Sequence, residues 1–128
     1  GQISIDRSDR EKAIESLQKA AKKVEEGRTV LLFPEGTRSR DGTLGSFKKG
    51  GFMLALESGA PIIPVGLAGT RDLVPRGTWV YKRSRVALVV GEPIPTSGMN
   101  LDDRDRLMEM VKSSIETAKE AAKSRLHA

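Results

Sequence analysis

The chain has 128 residues, 38% of them apolar and only 4% aromatic, and its 22 Lys and Arg against 17 Asp and Glu leave a formal net charge of +5. Without cysteine it can form no disulfide, thiolate nucleophile or Cys-ligated metal site, and no apolar stretch approaches the roughly 20 residues of a spanning helix. A length of this order predicts one domain whose core rests on Val, Ile, Leu and Ala, and the positive charge favours acidic partners: phosphorylated small molecules, anionic lipid or nucleic acid.

The alternation of Gln2-Ile3-Ser4-Ile5-Asp6 predicts a short first strand. Ser8 and Glu11 have the spacing of a capping box, so a helix should start at Asp9. Ile14, Leu17, Ala21 and Val24 give it an apolar stripe, and Gly27 ends it. Val30 to Phe33 is short, apolar and β-prone, which reads as a buried second strand. Strand, helix and strand of this length form a βαβ unit with parallel pairing and a right-handed crossover. Parallel pairing would bring Asp6-Arg7 and the residues after Phe33 to one edge of the sheet.

Pro34 stops the second strand, because a residue without an N–H cannot extend a central ladder. Glu35, Gly36, Thr37, Arg38, Ser39 and Arg40 follow at once. A buried strand ending in concentrated polar groups is where open α/β sheets place ligands. The glycine lets backbone approach closely, and Arg38 offers a planar fork for phosphate or carboxylate. A charged surface turn has the same composition, so spacing by itself leaves both readings open.

Residues 41 to 46 read as a flexible loop. Gly50 to Ser58 is apolar on nearly all sides and predicts a buried helix closed by Gly59. Lys48 and Lys49 precede its first turn, where backbone N–H groups favour an anion. Ile62 to Leu67 and Val86 to Val90 predict a third and a fourth strand. The segment between them, residues 69 to 85, is loop-like and carries Arg71, Arg76, Lys82, Arg83 and Arg85 around Trp79 and Tyr81. Asn100 caps the last helix, with Asp102 and Asp103 on its dipole. Leu107, Val111, Ile115, Ala118 and Ala122 form the stripe of that helix. The expected fold is therefore α/β, a mainly parallel sheet of about four strands with three helices.

Phe33-Pro34-Glu35-Gly36-Thr37-Arg38-Ser39, followed by Phe47-Lys48-Lys49-Gly50, resembles the third motif of the glycerolipid acyltransferases, the family of lysophosphatidic acid acyltransferase. Gly1-Gln2-Ile3-Ser4-Ile5-Asp6-Arg7 is similar to the second motif, with Ser4 where an aromatic residue is usual. Ile62-Ile63-Pro64-Val65-Gly66-Leu67 resembles the fourth, and Gly91-Glu92-Pro93-Ile94 the Gly-x-Pro-Ile that often follows. The resemblance covers residues 1 to about 96 in the family's order. It implies a glycerol-3-phosphate acyltransferase-like domain that moves an acyl group from acyl-CoA or acyl carrier protein to the hydroxyl of a lysophosphatidate. The thioester would be a co-substrate, with no cofactor and no metal.

By the same resemblance, Arg7, Thr37, Arg38 and Lys48 would hold the acceptor's phosphate, with Glu35 and Gly36 supporting them. The family's first motif, His-x-x-x-x-Asp, supplies the general base; the one histidine of this chain is His127. The expectation is a single partial domain over residues 1–128, its catalytic motif upstream of Gly1 and the chain inactive by itself. The parent protein would work at the cytoplasmic side of a membrane, without nucleic acid. The alternative is a non-catalytic basic module that binds nucleic acid or an anionic membrane surface through residues 71–85.

Overall fold

Helix α1, Arg10–Glu25, opens the computed structural model, which describes residues 10–75, 77 and 79–128. Its buried side is narrower than the stripe predicts. Ala20 is buried and Leu17, Ala21 and Val24 half-buried, whereas Ile14 is largely exposed. The chain leaves it through Gly27, whose N–H bonds Val24 O at 2.9 Å while Arg28 N–H bonds Lys23 O at 3.0 Å, so two orphan carbonyls are satisfied together.

Helix α2, Gly50–Ser58, buries Phe52, Leu54, Ala55 and Leu56. It begins on a pair of glycines against which two leucine side chains lie close. A Cβ on Gly50 would lie 3.0 Å from Leu17 Cδ1 of α1, and one on Gly51 would lie 2.8 Å from Leu32 Cδ1. Phe47 stacks on Phe52 with ring centroids 6.0 Å apart, which fixes the angle at which the chain enters the helix. Thr96 closes this part of the core. Its buried hydroxyl lies 2.8 Å from Ala60 O and 3.0 Å from Ala55 O, offering its proton to the carbonyls at the helix end.

Strands β1, Val65–Ala68, and β2, Ala87–Val90, pair antiparallel, Val65 opposite Val90 and Ala68 opposite Ala87. An antiparallel bridge joins Ile62 to Ile94, and Gly91 N–H bonds Pro64 O at 2.8 Å. Between the strands runs a long excursion that contains a one-turn helix, α3, Thr70–Leu73. Gly69 and Arg85 meet at its neck, where Arg85 O lies 2.1 Å from the position of a Cβ on Gly69. Only a glycine admits that approach.

Asn100 starts the last helical segment with a reciprocal cap: Asp102 N–H donates to its Oδ1 at 2.9 Å, and its own N–H donates to Asp103 Oδ2 at 3.0 Å. A 3-10 turn, Leu101–Asp103, leads into α4, Arg104–Leu126. Leu107, Val111, Ala118 and Ala122 are buried along one stripe, each contributing up to about 2 kcal/mol according to its size. The helix packs closely at Gly66, where a Cβ would stand 2.3 Å from Ala118 C and Lys119 N. The backbone of α4 rests on the backbone of β1.

The described residues divide into two compact units, one within residues 1–38, 45–61 and 95–108, the other within residues 39–44, 62–94 and 109–128. The first holds α1, α2 and the start of α4. The second holds both strands, α3 and the rest of α4.

This architecture overturns the mainly parallel four-stranded sheet. Among the described residues there are two strands, paired antiparallel, with α1, α2, α3 and α4. Residues 29 to 33 join no ladder, and Leu31 and Phe33 are 75% and 71% exposed. An apolar run becomes a buried strand only when a partner strand and a covering layer reach it, and the described residues bring neither. β1 and β2 are antiparallel because residues 69–86 return the chain to the same end of the ladder instead of crossing over. The first strand, expected at residues 2–6, and Ser8 of the capping box lie outside the described residues.

Candidate active site

Phe33-Pro34-Glu35-Gly36 is a β-turn closed by Gly36 N–H to Phe33 O at 3.0 Å. Proline at its second position and glycine at its fourth fit a type I turn. Glu35 has no positive φ, as type I requires at the third position, while Gly36 follows at φ 72°. That left-handed value suits glycine and turns the chain sharply into Thr37 and Arg38.

Two hydrogen bonds pin the turn to residues much further along. Glu35 Oε2 accepts from Gly45 N–H at 2.9 Å, and Pro34 O accepts from Lys48 N–H at 2.8 Å. Pro34 thus does two things: it withholds an N–H and presents a carbonyl. The turn, Gly45 and Lys48 are held as one structure at the start of α2, with Thr37 and Arg38 beginning the loop between them. Both Thr37 and Arg38 are exposed, as is Lys48, while Glu35 and Gly36 are half-buried.

The structure therefore brings Glu35, Gly36 and Lys48 to one place and leaves Thr37 and Arg38 beside them on the surface. Arg7 lies outside the described residues, as does Asp6, and with them their expected meeting with Glu35. Spacing alone missed Gly45. A Cβ there would come to 3.3 Å from Glu35 Oε2, a tight contact that the carboxylate would have to yield to by a few tenths of an ångström.

Residues 41–44, part of the stretch read as a flexible loop, are organised within the second unit together with Ser39 and Arg40. Thr43 donates to Asp41 Oδ1 from Oγ1 at 2.7 Å and from its backbone N–H at 3.0 Å. Those bonds, the hydroxyl's foremost, hold the Asp41 carboxyl below the ordinary aspartate range, with a small contribution from Arg71. Arg71 Nη2 donates to Arg40 O at 2.7 Å, and Lys119 Nζ donates to Gly42 O. The signal for this was in the sequence: Asp-x-Thr is an Asx-turn pattern.

A half-buried turn carboxylate that receives a backbone N–H, beside exposed Arg and Lys, can position a loop and offer cations to an anionic group. Among the described residues no group of His, Asp and Glu is arranged to hold a metal ion. His127 is exposed beyond the end of α4, away from this turn in sequence and in the other unit.

Residues 1–68 match the family described as Acyltransferase, and this chain belongs to that family. The match contains α1, the turn, α2 and all of β1. Among its relatives is the chloroplastic 1-acyl-sn-glycerol-3-phosphate acyltransferase BAT2 of Brassica napus, 36% identical over 79% of this chain and 30% of that one. The 1-acyl-sn-glycerol-3-phosphate acyltransferase of Saccharomyces cerevisiae is 36% identical over 94% of this chain and 41% of its own length. A solved structure, the 1-acyl-sn-glycerophosphate (LPA) acyltransferase PlsC of Thermotoga maritima, superposes with a TM-score of 0.70 at 38% identity, covering 84% of this chain and 45% of that one. The chain spans less than half the length of each of these three.

Proposed function

We propose that this chain supplies acceptor recognition in an enzyme that moves a fatty acyl group from acyl-CoA or acyl carrier protein to the free hydroxyl of a 1-acylglycerol-3-phosphate. Membership of the acyltransferase family and the names of the relatives support this reading. The observation that carries it is the pinned turn, which leads directly into Thr37 and Arg38 and whose Pro34 O accepts from Lys48 N–H.

In the reaction the acceptor hydroxyl attacks the thioester carbonyl carbon, the C–S bond breaks, the proton passes to a base and the thiol departs. Holding the phosphate fixes the distance between hydroxyl and thioester, the main source of advantage for a two-substrate transfer. Arg38 suits that task because a guanidinium grips phosphate through two parallel N–H donors, where Lys48 offers a point charge. Glu35 and Gly36 act by positioning. The 128 residues contain no counterpart of the family's His-x-x-x-x-Asp pair, so by themselves they bind the acceptor and do not turn it over. The setting that fits a lipid acceptor is the cytoplasmic surface of a membrane; among the described residues no helix is long and apolar enough to cross one.

The test is thermal unfolding with a short-chain lysophosphatidate kept below its micelle concentration. At a hundred times its Kd a ligand of the native state adds about 2.7 kcal/mol, a rise of roughly 10 °C for a chain of this size. Arg38→Ala should abolish the rise and Arg38→Lys should keep part of it. No rise in the folded wild-type chain would overturn the reading.

A further inference from the structure

The chain's one tryptophan and one tyrosine stand two residues apart, at Trp79 and Tyr81. Both are out in solvent, Trp79 97% and Tyr81 76% exposed, with Val80 between them 68% exposed. In a chain with so few aromatic residues, two rings placed where they add nothing to the core call for a use outside it. The segment is held at its base: Lys82 N–H donates to Leu73 O at 2.9 Å, and the neck between Gly69 and Arg85 closes the excursion from β1 to β2. Lys82, Arg83 and Arg85 follow the rings and are all exposed. No acidic residue occurs between Asp72 and Glu92.

We propose that Trp79, Val80 and Tyr81 enter the interfacial layer of an anionic lipid bilayer, with Lys82, Arg83 and Arg85 on its phosphate groups. Tryptophan and tyrosine favour that layer because each has an apolar body and a polar edge. Cations beside them gain from the negative surface potential. Single-stranded nucleic acid would use the rings for stacking but leave Val80 in water; a bilayer takes up all three side chains. The surface lies outside residues 1–68 and goes beyond the proposed acceptor site.

Trp79 reports its own surroundings, since no other tryptophan contributes. On adding phosphatidylcholine–phosphatidylglycerol vesicles free of lysophosphatidate, its emission should shift to the blue and be quenched by brominated acyl chains. Co-sedimentation should weaken with salt and fall by about tenfold or more in the W79A/Y81A double variant. Lys82→Gln and Arg83→Gln should each weaken it about fivefold. Arg38→Ala should leave vesicle binding intact, which separates this surface from acceptor recognition. Unchanged emission, sedimentation indifferent to the aromatic pair, loss of binding in Arg38→Ala, or an oligonucleotide that binds and displaces the vesicles would each overturn the proposal.

Discussion

Glu35→Ala removes the carboxylate that accepts the Gly45 N–H at 2.9 Å. A hydrogen bond to a charged group contributes about 1.5–3 kcal/mol, and the half-exposed position of Glu35 places it at the low end, about 1.5 kcal/mol. Loss of that amount should raise the population of loop-open molecules, and so the amide exchange rate of Gly45, about tenfold. Glu35→Gln keeps an acceptor oxygen of about half the strength, and its exchange should rise only about threefold. Hydrogen exchange at Gly45, followed by NMR with Gly36 as the internal reference for the turn, reads the two variants directly. Because Thr37 and Arg38 begin the loop that this bond closes, the lysophosphatidate-induced rise in Tm should shrink in the same order. An unchanged Gly45 rate in Glu35→Ala would refute the assigned role of the carboxylate.

Gly66→Ala would drive a Cβ to 2.3 Å from the α4 backbone, about an ångström inside the 3.4 Å where ordinary contact begins. No rotamer change relieves a clash with backbone, so we expect a loss of about 3 kcal/mol and a Tm lower by roughly 10 °C; a change within about 2 °C would show that α4 can move away freely. Thr96→Val keeps shape while depriving Ala55 O and Ala60 O of a donor, and urea unfolding should give a lower midpoint at unchanged slope, by about 1–3 kcal/mol. Asp41, held below its ordinary value chiefly by the Thr43 hydroxyl, contributes stability above its unfolded pKa that is lost as pH falls through the folded one. Thr43→Val should move the carboxyl titration, followed by carbon NMR, back up toward the ordinary range; an unmoved titration would rule out the hydroxyl as the cause.

Periodicity is a local property, and α1 and α4 followed from it, while α2 followed from an apolar run closed by Gly59. The Asn100 cap, the Leu107–Ala122 stripe and the glycine stops after α1 and α2 all appear where the residues place them. The sheet did not follow, because strand pairing depends on where the chain returns. The run from Val30 to Phe33 has the composition of a buried strand, yet Leu31 and Phe33 lie exposed among the described residues. Likewise Trp79 to Arg85 reads as loop, while the Gly69–Arg85 neck that closes it depends on contacts across the excursion. At the candidate site the motif residues were legible from Phe33 to Ser39. The partner that fixes Glu35 was not, since Gly45 looks in sequence like any loop glycine.

Three bonds at the candidate site, from Phe33 to Gly36, Pro34 to Lys48 and Glu35 to Gly45, close within residues 33–48. Loops of about ten residues close in roughly 10–100 ns. The contact between Glu35 and Gly45 would therefore open and re-form many times between encounters with an acceptor, whose arrival is limited by diffusion. Its opening acts as a rapid pre-equilibrium that scales the apparent affinity by the closed fraction. Weakening the turn should consequently appear in an equilibrium constant, with no slow phase in the approach to binding.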